Sequence, residues 1–216
     1  MGRSFFINLK YKKYFRKTSL KQKNIGDLFL EEIQKSNPKS FLEIGIFHGV
    51  TARNVCELMN KNHGPDFSYI GIDIFDEGEE YKDEVVPVKT FNNPLKNFYF
   101  KYIKKQNPYS LEAVEDLLSK FKKNVTIIRG NSNEILKNIE LEKVDFIFID
   151  GGHKYETVKK DLIYSHKLLN SKGTILCDDY NLSQALGVRK AIEEFSDENK
   201  IKYEIVHERF AKFDFN

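Results

Sequence analysis

Two short stretches hold the residues best able to do chemistry: "FIDGGHKY" at 148–155 and "ILCDDY" at 175–180. Each is an apolar run suited to a buried strand, and each ends in carboxylates, Asp150 in the first and Asp178 with Asp179 in the second. An ionised aspartate beside apolar neighbours costs free energy unless something pairs with it. If the two runs are adjacent parallel strands about 4.8 Å apart, the three carboxylates converge at one rim and repel unless a cation joins them. Ligands that are all oxygen point to Mg²⁺, Mn²⁺ or Ca²⁺ rather than zinc. His153 and Lys154 follow just beyond Asp150. An imidazole there can take the proton of an alcohol whose oxygen such a cation binds. The plainer readings are that Asp178 or Asp179 caps the next helix and that His153 is a surface loop residue.

The elements that must position these groups alternate regularly. Helix-like patterns at 26–35, 50–62, 110–121, 132–139, 155–170 and 187–199 are interleaved with strand-like runs at 40–46, 67–75, 125–130, 144–150 and 173–179. Ser110 is placed to open its helix. The chain ends in two strands, "KYEIVHE" and "RFAKFDF", with almost nothing between them, which predicts an antiparallel hairpin. The expected fold is α/β: a doubly wound, mostly parallel seven-stranded sheet finished by a C-terminal antiparallel hairpin.

In such a sheet ligands bind outside the carboxyl ends of the strands. The first strand runs into "LEIGIFHGVTARN", where Gly45 and Gly49 bracket a turn into a helix. Phe47 and Val50 stand where the second and third glycines of G-x-G-x-x-G belong, so a dinucleotide pyrophosphate is disfavoured. The second strand ends in Asp73, at the place where an acidic side chain can take both hydroxyls of a ribose. Asn131 and Ser132 follow the third strand, as an adenine edge or as a helix cap.

The order E-x-G-x-x-x-G, an acidic end to the second strand and a terminal hairpin resembles the class I S-adenosylmethionine-dependent methyltransferases from about residue 38 to the end. By that resemblance Glu43 and Gly45 lie along the methionine part of the cofactor, Gly49 and Thr51 also bind the cofactor, Asp73 holds the ribose, Asn131 and Ser132 border the adenine, and Asp150 serves both cofactor and metal. Within the family, "DGGH" and "DD" resemble the metal-dependent O-methyltransferases that act on macrolide sugars, which implies His153 as general base and Asp150, Asp178 and Asp179 as Mg²⁺ ligands. Catechol-type relatives carry a lysine near that position, which makes Lys154 a second candidate. The implied acceptor is a small molecule with a hydroxyl group, a sugar or glycoside before a catechol.

Composition narrows the alternatives. The 216 residues are enough for one sizeable core, 31% are charged, and the net charge of +3 implies no polyanionic partner by itself. Cys56 and Cys177 read as reduced core thiols, and no apolar run reaches the roughly 18 residues of a membrane span, so a cytoplasmic protein is expected. Residues 1–37 are expected to form a basic, aromatic N-terminal cap, 38–216 the methyltransferase domain, and 76–107 a lid or substrate insertion with short helices as its alternative. The cap's Arg3, Lys10, Lys12, Lys13, Arg16, Lys17, Lys21 and Lys23 leave an RNA methyltransferase as the strongest rival, although a nucleic-acid partner is disfavoured by the balanced remainder. A non-catalytic cofactor-binding protein would have no use for Asp150, His153, Asp178 and Asp179 together. The missing G-x-G-x-x-G, G-x-S-x-G and N-P-P-Y patterns disfavour a nicotinamide oxidoreductase, an α/β hydrolase and a DNA-adenine methyltransferase. The sequence leaves homo-oligomerisation open.

Overall fold

The computed structural model describes Tyr14, residues 16–75 and residues 91–215. The basic stretch before Tyr14 and the part of the expected lid before Phe91 lie outside the described residues. The sheet has seven strands: β1 (Ser40–Ile44), β2 (Ser68–Asp73), β3 (Val125–Arg129), β4 (Val144–Ile149), β5 (Leu169–Cys177), β6 (Glu204–Val206) and β7 (Phe210–Asp214). Their order is β3-β2-β1-β4-β5-β7-β6, parallel from β3 to β5, with β7 antiparallel to both neighbours. The hairpin predicted at the C-terminus is therefore present, and it folds back so that β7 lies inside the sheet and β6 at its edge.

Strand alternation explains the two cores. Phe41 on β1 and Phe146 and Phe148 on β4 face one side, where Tyr69 of β2 and Phe29 of helix α1 (Ile25–Ser36) join them. Phe41 stacks on Phe146 with ring centroids 5.1 Å apart, and Phe29 meets Phe148 at 4.5 Å. The alternate residues Leu42, Ile44, Ile147 and Ile149 face the other side, an aliphatic layer closed by Val158, Leu162, Val188 and Ile192 from two helices. Helix α2 (Val50–His63) belongs to the aromatic side, whereas α6 (Tyr155–Leu168) and α7 (Leu186–Asn199) cover the aliphatic one. Phe29 and Ile33 of α1, which precede residue 38, are buried in the core against the sheet.

Several element ends differ from the sequence reading for identifiable reasons. β1 stops at Ile44 rather than at 46 because Gly45 has φ +91°, a left-handed turn forced by the close approach of Asp150. β2 stops at Asp73 rather than at 75, where Phe75 takes φ +50°. α6 ends at Leu168 and β5 begins at once, where helix to Asn170 and strand from Gly173 were predicted; buried Leu169 pairs with Val144 across a bulge. In the lid region, α3 (Pro94–Phe98) passes into a wider turn at Tyr99–Lys104, and Ser110 caps α4 (Leu111–Leu118), accepting a hydrogen bond from the Ala113 amide. Phe91 and Phe100 of this insertion are buried and stack at 5.3 Å.

The two cysteines are free and buried, as expected. Among the described residues no helix is long and apolar enough to cross a membrane. Part of the basic N-terminal stretch is engaged by the fold. Buried Arg16 donates to the Ala113 carbonyl at 2.9 Å, and Lys21 donates to the carbonyls of Arg16 and Tyr14 at 2.7 and 2.9 Å.

Candidate active site

The strand order reverses between β1 and β4, and a cleft opens at their carboxyl ends. It is lined by Gly45 and Phe47 after β1, Asp73 and Ile74 after β2, Gly130, Asn131 and Ser132 after β3, and Asp150, Gly151 and Gly152 after β4, with Tyr109 and Thr157 from neighbouring segments. Gly45 holds the floor of this cleft. A Cβ there would lie 2.0 Å from the Asp150 carbonyl oxygen, so β1 and β4 can approach this closely only with glycine at this position.

Asp73 organises the glycine turn. One of its carboxylate oxygens accepts from the Ile46 and Phe47 amides, both at 2.7 Å, and the other from the Phe75 amide at 2.7 Å and the Tyr109 hydroxyl at 3.0 Å. Burial raises the Asp73 carboxyl above its ordinary range while these donors pull it back. Its four lone-pair positions are thus filled from within the chain, and ribose hydroxyls reaching it would exchange with the Tyr109 hydroxyl. Phe47 takes φ +53° in this turn, held by its amide bond to Asp73 and by stacking on His48 at 3.9 Å. Buried His48 accepts from the Lys17 amide, and burial together with nearby Arg16 pushes its pKa down to about 3, so it is a neutral structural ring.

Of the residues assigned to the cofactor from the sequence, Gly45, Asp73, Asn131, Ser132 and Asp150 line the cleft. Glu43, Gly49 and Thr51 do not. Glu43 points from β1 into the aromatic core, where the Tyr69 hydroxyl donates to one oxygen and the other has no partner among the described residues. Gly49 starts α2 at φ +73° against Val114 and Leu117, and Thr51 is buried in the first turn of α2. Asn131 borders the cleft and also caps helix α5 (Ser132–Asn138), its side chain accepting from the Asn133 amide at 2.9 Å. Phe47 and Tyr109 are cleft residues that motif reading missed; Tyr109 comes from after the lid, 36 positions from its partner Asp73.

Burial pushes the Glu43 carboxyl up to about 8. The native protein therefore keeps a proton that the unfolded chain loses above its ordinary value of 4.5, so this group's stabilisation is full below that pH and falls towards pH 8. Glu43→Gln is expected to reduce the loss of stability between pH 5 and 8 by up to about 1.4 kcal/mol per pH unit, read from urea unfolding across that range.

Beside the cleft, sharing Asp150, Gly151 and Gly152 with it, lies a second small cavity bounded by His153, Asp178 and Asp179. Carboxylate oxygens of Asp150, Asp178 and Asp179 lie within 4.8 Å of one another, as the sequence reading of adjacent strand ends required. His153 Nε2 is 3.1 Å from Asp179 Oδ2. In the neutral ring with the proton on Nε2, that nitrogen donates to the carboxylate. Lys154 is exposed at the start of α6. Desolvation raises Asp150 well above the usual carboxylate range, and the charges of Asp178 and Asp179 add to the shift. Burial raises Asp178 as well, against the opposing pull of Arg209.

That arginine was invisible to motif reading. Arg209 Nε donates to Asp178 Oδ1 and Nη2 to Oδ2 at 2.5 Å, while Nη2 stands 3.2 Å from Asp179 Oδ1. Two of the three carboxylates, Asp178 and Asp179, do have a cation, and it is supplied by the chain. The three residues as a set still suit an oxygen-preferring divalent ion: they are all carboxylate, converge within 4.8 Å and lie beside the cleft. The cleft suits a nucleoside, with a bare glycine floor and the polar rim of Asp73, Asn131 and Ser132.

The sequence matches the family described as methyltransferase domain over residues 42–180. The chain belongs to that methyltransferase family. No curated protein matches it. Among solved structures, the O-methyltransferase NovP shares 15% identity over 88% of this chain and 79% of its own, with a TM-score of 0.63. CalS11, a TDP-rhamnose 3′-O-methyltransferase of calicheamicin biosynthesis, shares 14% over 100% of this chain and 96% of its own, TM-score 0.60. TomG from Streptomyces achromogenes, an O-methyltransferase of tomaymycin synthesis solved with SAM, shares 13% over 99% and 87%, TM-score 0.57. The methyltransferase therefore has the Rossmann-like class I fold that its strand order implied.

Proposed function

We propose that this methyltransferase transfers a methyl group from S-adenosylmethionine to a hydroxyl of a small acceptor, a sugar or glycoside before a catechol, with the help of a divalent cation. The observation that supports this best is that Asp150, Gly151 and Gly152 wall both the cleft and the carboxylate cavity, so a methyl donor and an activated hydroxyl would meet at one edge. The sulfonium supplies an electrophilic methyl group, and the cation favours the alkoxide form of the acceptor. Asp73, Asn131 and Ser132 would orient the nucleoside, and Asp150, Asp178 and Asp179 would hold the cation. His153 would take the hydroxyl proton, with its ring held by Asp179 at 3.1 Å. The role of the chain is otherwise positional, since in-line displacement of a methyl group needs alignment more than further chemistry.

The sugar preference is supported by the likeness to CalS11, whose acceptor is a TDP-sugar, and by "DGGH" in place of a lysine pattern. We place the described part of the insertion, residues 91–107, beside the acceptor, and the protein in the cytoplasm. The RNA reading is weakened by Arg16 and Lys21, whose donors are used inside the fold.

Isothermal titration of S-adenosylhomocysteine with and without Mg²⁺ tests the proposal. Wild type is expected to bind the nucleoside and to show a Mg²⁺ heat, and the double variant Asp178→Ala, Asp179→Ala is expected to lose that heat alone. Nucleoside binding with no Mg²⁺ effect would remove the cation and keep the methyl donor; no nucleoside binding would sink the reading.

A further inference from the structure

Arg209 occupies a place that a divalent cation would also seek. Its fork takes both oxygens of Asp178, whose side chain is only 1% exposed, and one nitrogen also reaches Asp179. The same Nη2 donates to Ser19 Oγ at 3.0 Å, in the segment that leads into α1. The position of this guanidinium is set by an unusual turn. His207 and Glu208, between β6 and β7, both have positive φ (+57° and +56°), the primed geometry that glycine and asparagine normally fill. The turn is held from outside: the Asn181 side chain donates to the Glu208 carbonyl at 2.8 Å, the Tyr180 amide donates to the Arg209 carbonyl at 3.0 Å, and His207 Nε2 lies 3.3 Å from Glu32. Asp179 is itself at φ +59°, with its amide turned onto Asp178 Oδ1 at 2.7 Å. Two constrained backbone segments thus hold one cation against the two carboxylates that follow β5.

A bidentate arginine and a divalent ion cannot both hold Asp178 without bringing like charges together within a few ångströms. We propose that Arg209 is a resident counter-cation which holds the carboxylate cluster together until a divalent ion displaces it from Asp178. This one side chain then sets the metal affinity of the site, and metal loading frees the arginine from Asp178 and disturbs its tie to Ser19. The inference rests on the metal-assisted reading above.

The test is Mn²⁺ binding, followed by electron paramagnetic resonance of the free ion, for wild type, Arg209→Gln and Arg209→Lys. Arg209→Gln is expected to bind Mn²⁺ tighter by about tenfold or more, since it removes a positive charge from the ion's own position, and Arg209→Lys by less. Equal or weaker affinity in Arg209→Gln would overturn the displacement while leaving the metal reading in place. Absence of Mn²⁺ binding in all three proteins would overturn both. Should Arg209→Gln fail to fold, wild type still decides: the Arg209 Nε–H signal in ¹⁵N-labelled protein, assigned by its loss in Arg209→Lys, is expected to shift and lose exchange protection on Mg²⁺ saturation. A signal unmoved at saturating Mg²⁺ would overturn the proposal.

Discussion

Replacing His153 by alanine is expected to lower the rate of methyl transfer by roughly 10²- to 10⁴-fold, the range that a positioned general base contributes. The imidazole sits on Asp179 at the rim of the carboxylate cavity, one residue past the Gly151–Gly152 wall shared with the cleft. It does not line the cleft itself, so the affinity for S-adenosylhomocysteine should stay near wild type. Loss of kcat with an unchanged dissociation constant for the nucleoside is the signature of a group that acts in the transition state. The control is Lys154→Ala, which removes an exposed side chain and should leave the rate within about threefold, the scale of a surface change. Single-turnover rates on a hydroxylated acceptor, with the nucleoside titrated separately, check both. A Lys154→Ala variant as slow as His153→Ala would move the base to the lysine.

Gly45→Ala is expected to be more damaging than an added methyl group at the other described glycines. The added carbon would lie 2.0 Å from the Asp150 carbonyl oxygen and 2.8 Å from the Gly151 amide nitrogen, all backbone atoms, at a φ of +91° that alanine rarely adopts. Relief requires the ends of β1 and β4 to separate, which breaks the hydrogen bond that the Asp150 amide donates to the Ile44 carbonyl and moves the shared wall of both cavities. A destabilisation of about 3 kcal/mol or more is expected from overpacking and backbone strain together. Urea unfolding should show it, and nucleoside binding should be lost in the fraction that stays folded. Gly64→Ala is the matching control. Gly64 also has a positive φ, +62°, but open space around it, so it should lose only the backbone strain of about 1–3 kcal/mol without the clash.

How far the sequence reaches can be judged from these residues. Alternating apolar runs were enough to predict the doubly wound sheet, because strand and helix periods are local properties of the chain. Carboxylates at the ends of two such runs were enough to predict that Asp150, Asp178 and Asp179 meet, because neighbouring parallel strands bring their carboxyl ends to one rim. The glycine turn was located correctly, but Glu43 was not: one step of strand alternation turns it from the cleft into the aromatic core beside Tyr69. Tyr109 and Arg209 lay beyond any local pattern. Tyr109 meets Asp73 across 36 positions, and Arg209 reaches Asp178 across 31, through a tight turn whose left-handed residues, His207 and Glu208, carry no turn signature of their own. The sequence by itself thus determined the elements, their order and the acidic rim. Only the tertiary structure decided which cation that rim already holds and which hydroxyl fills the Asp73 carboxylate, because both depend on how distant loops fold back over the sheet.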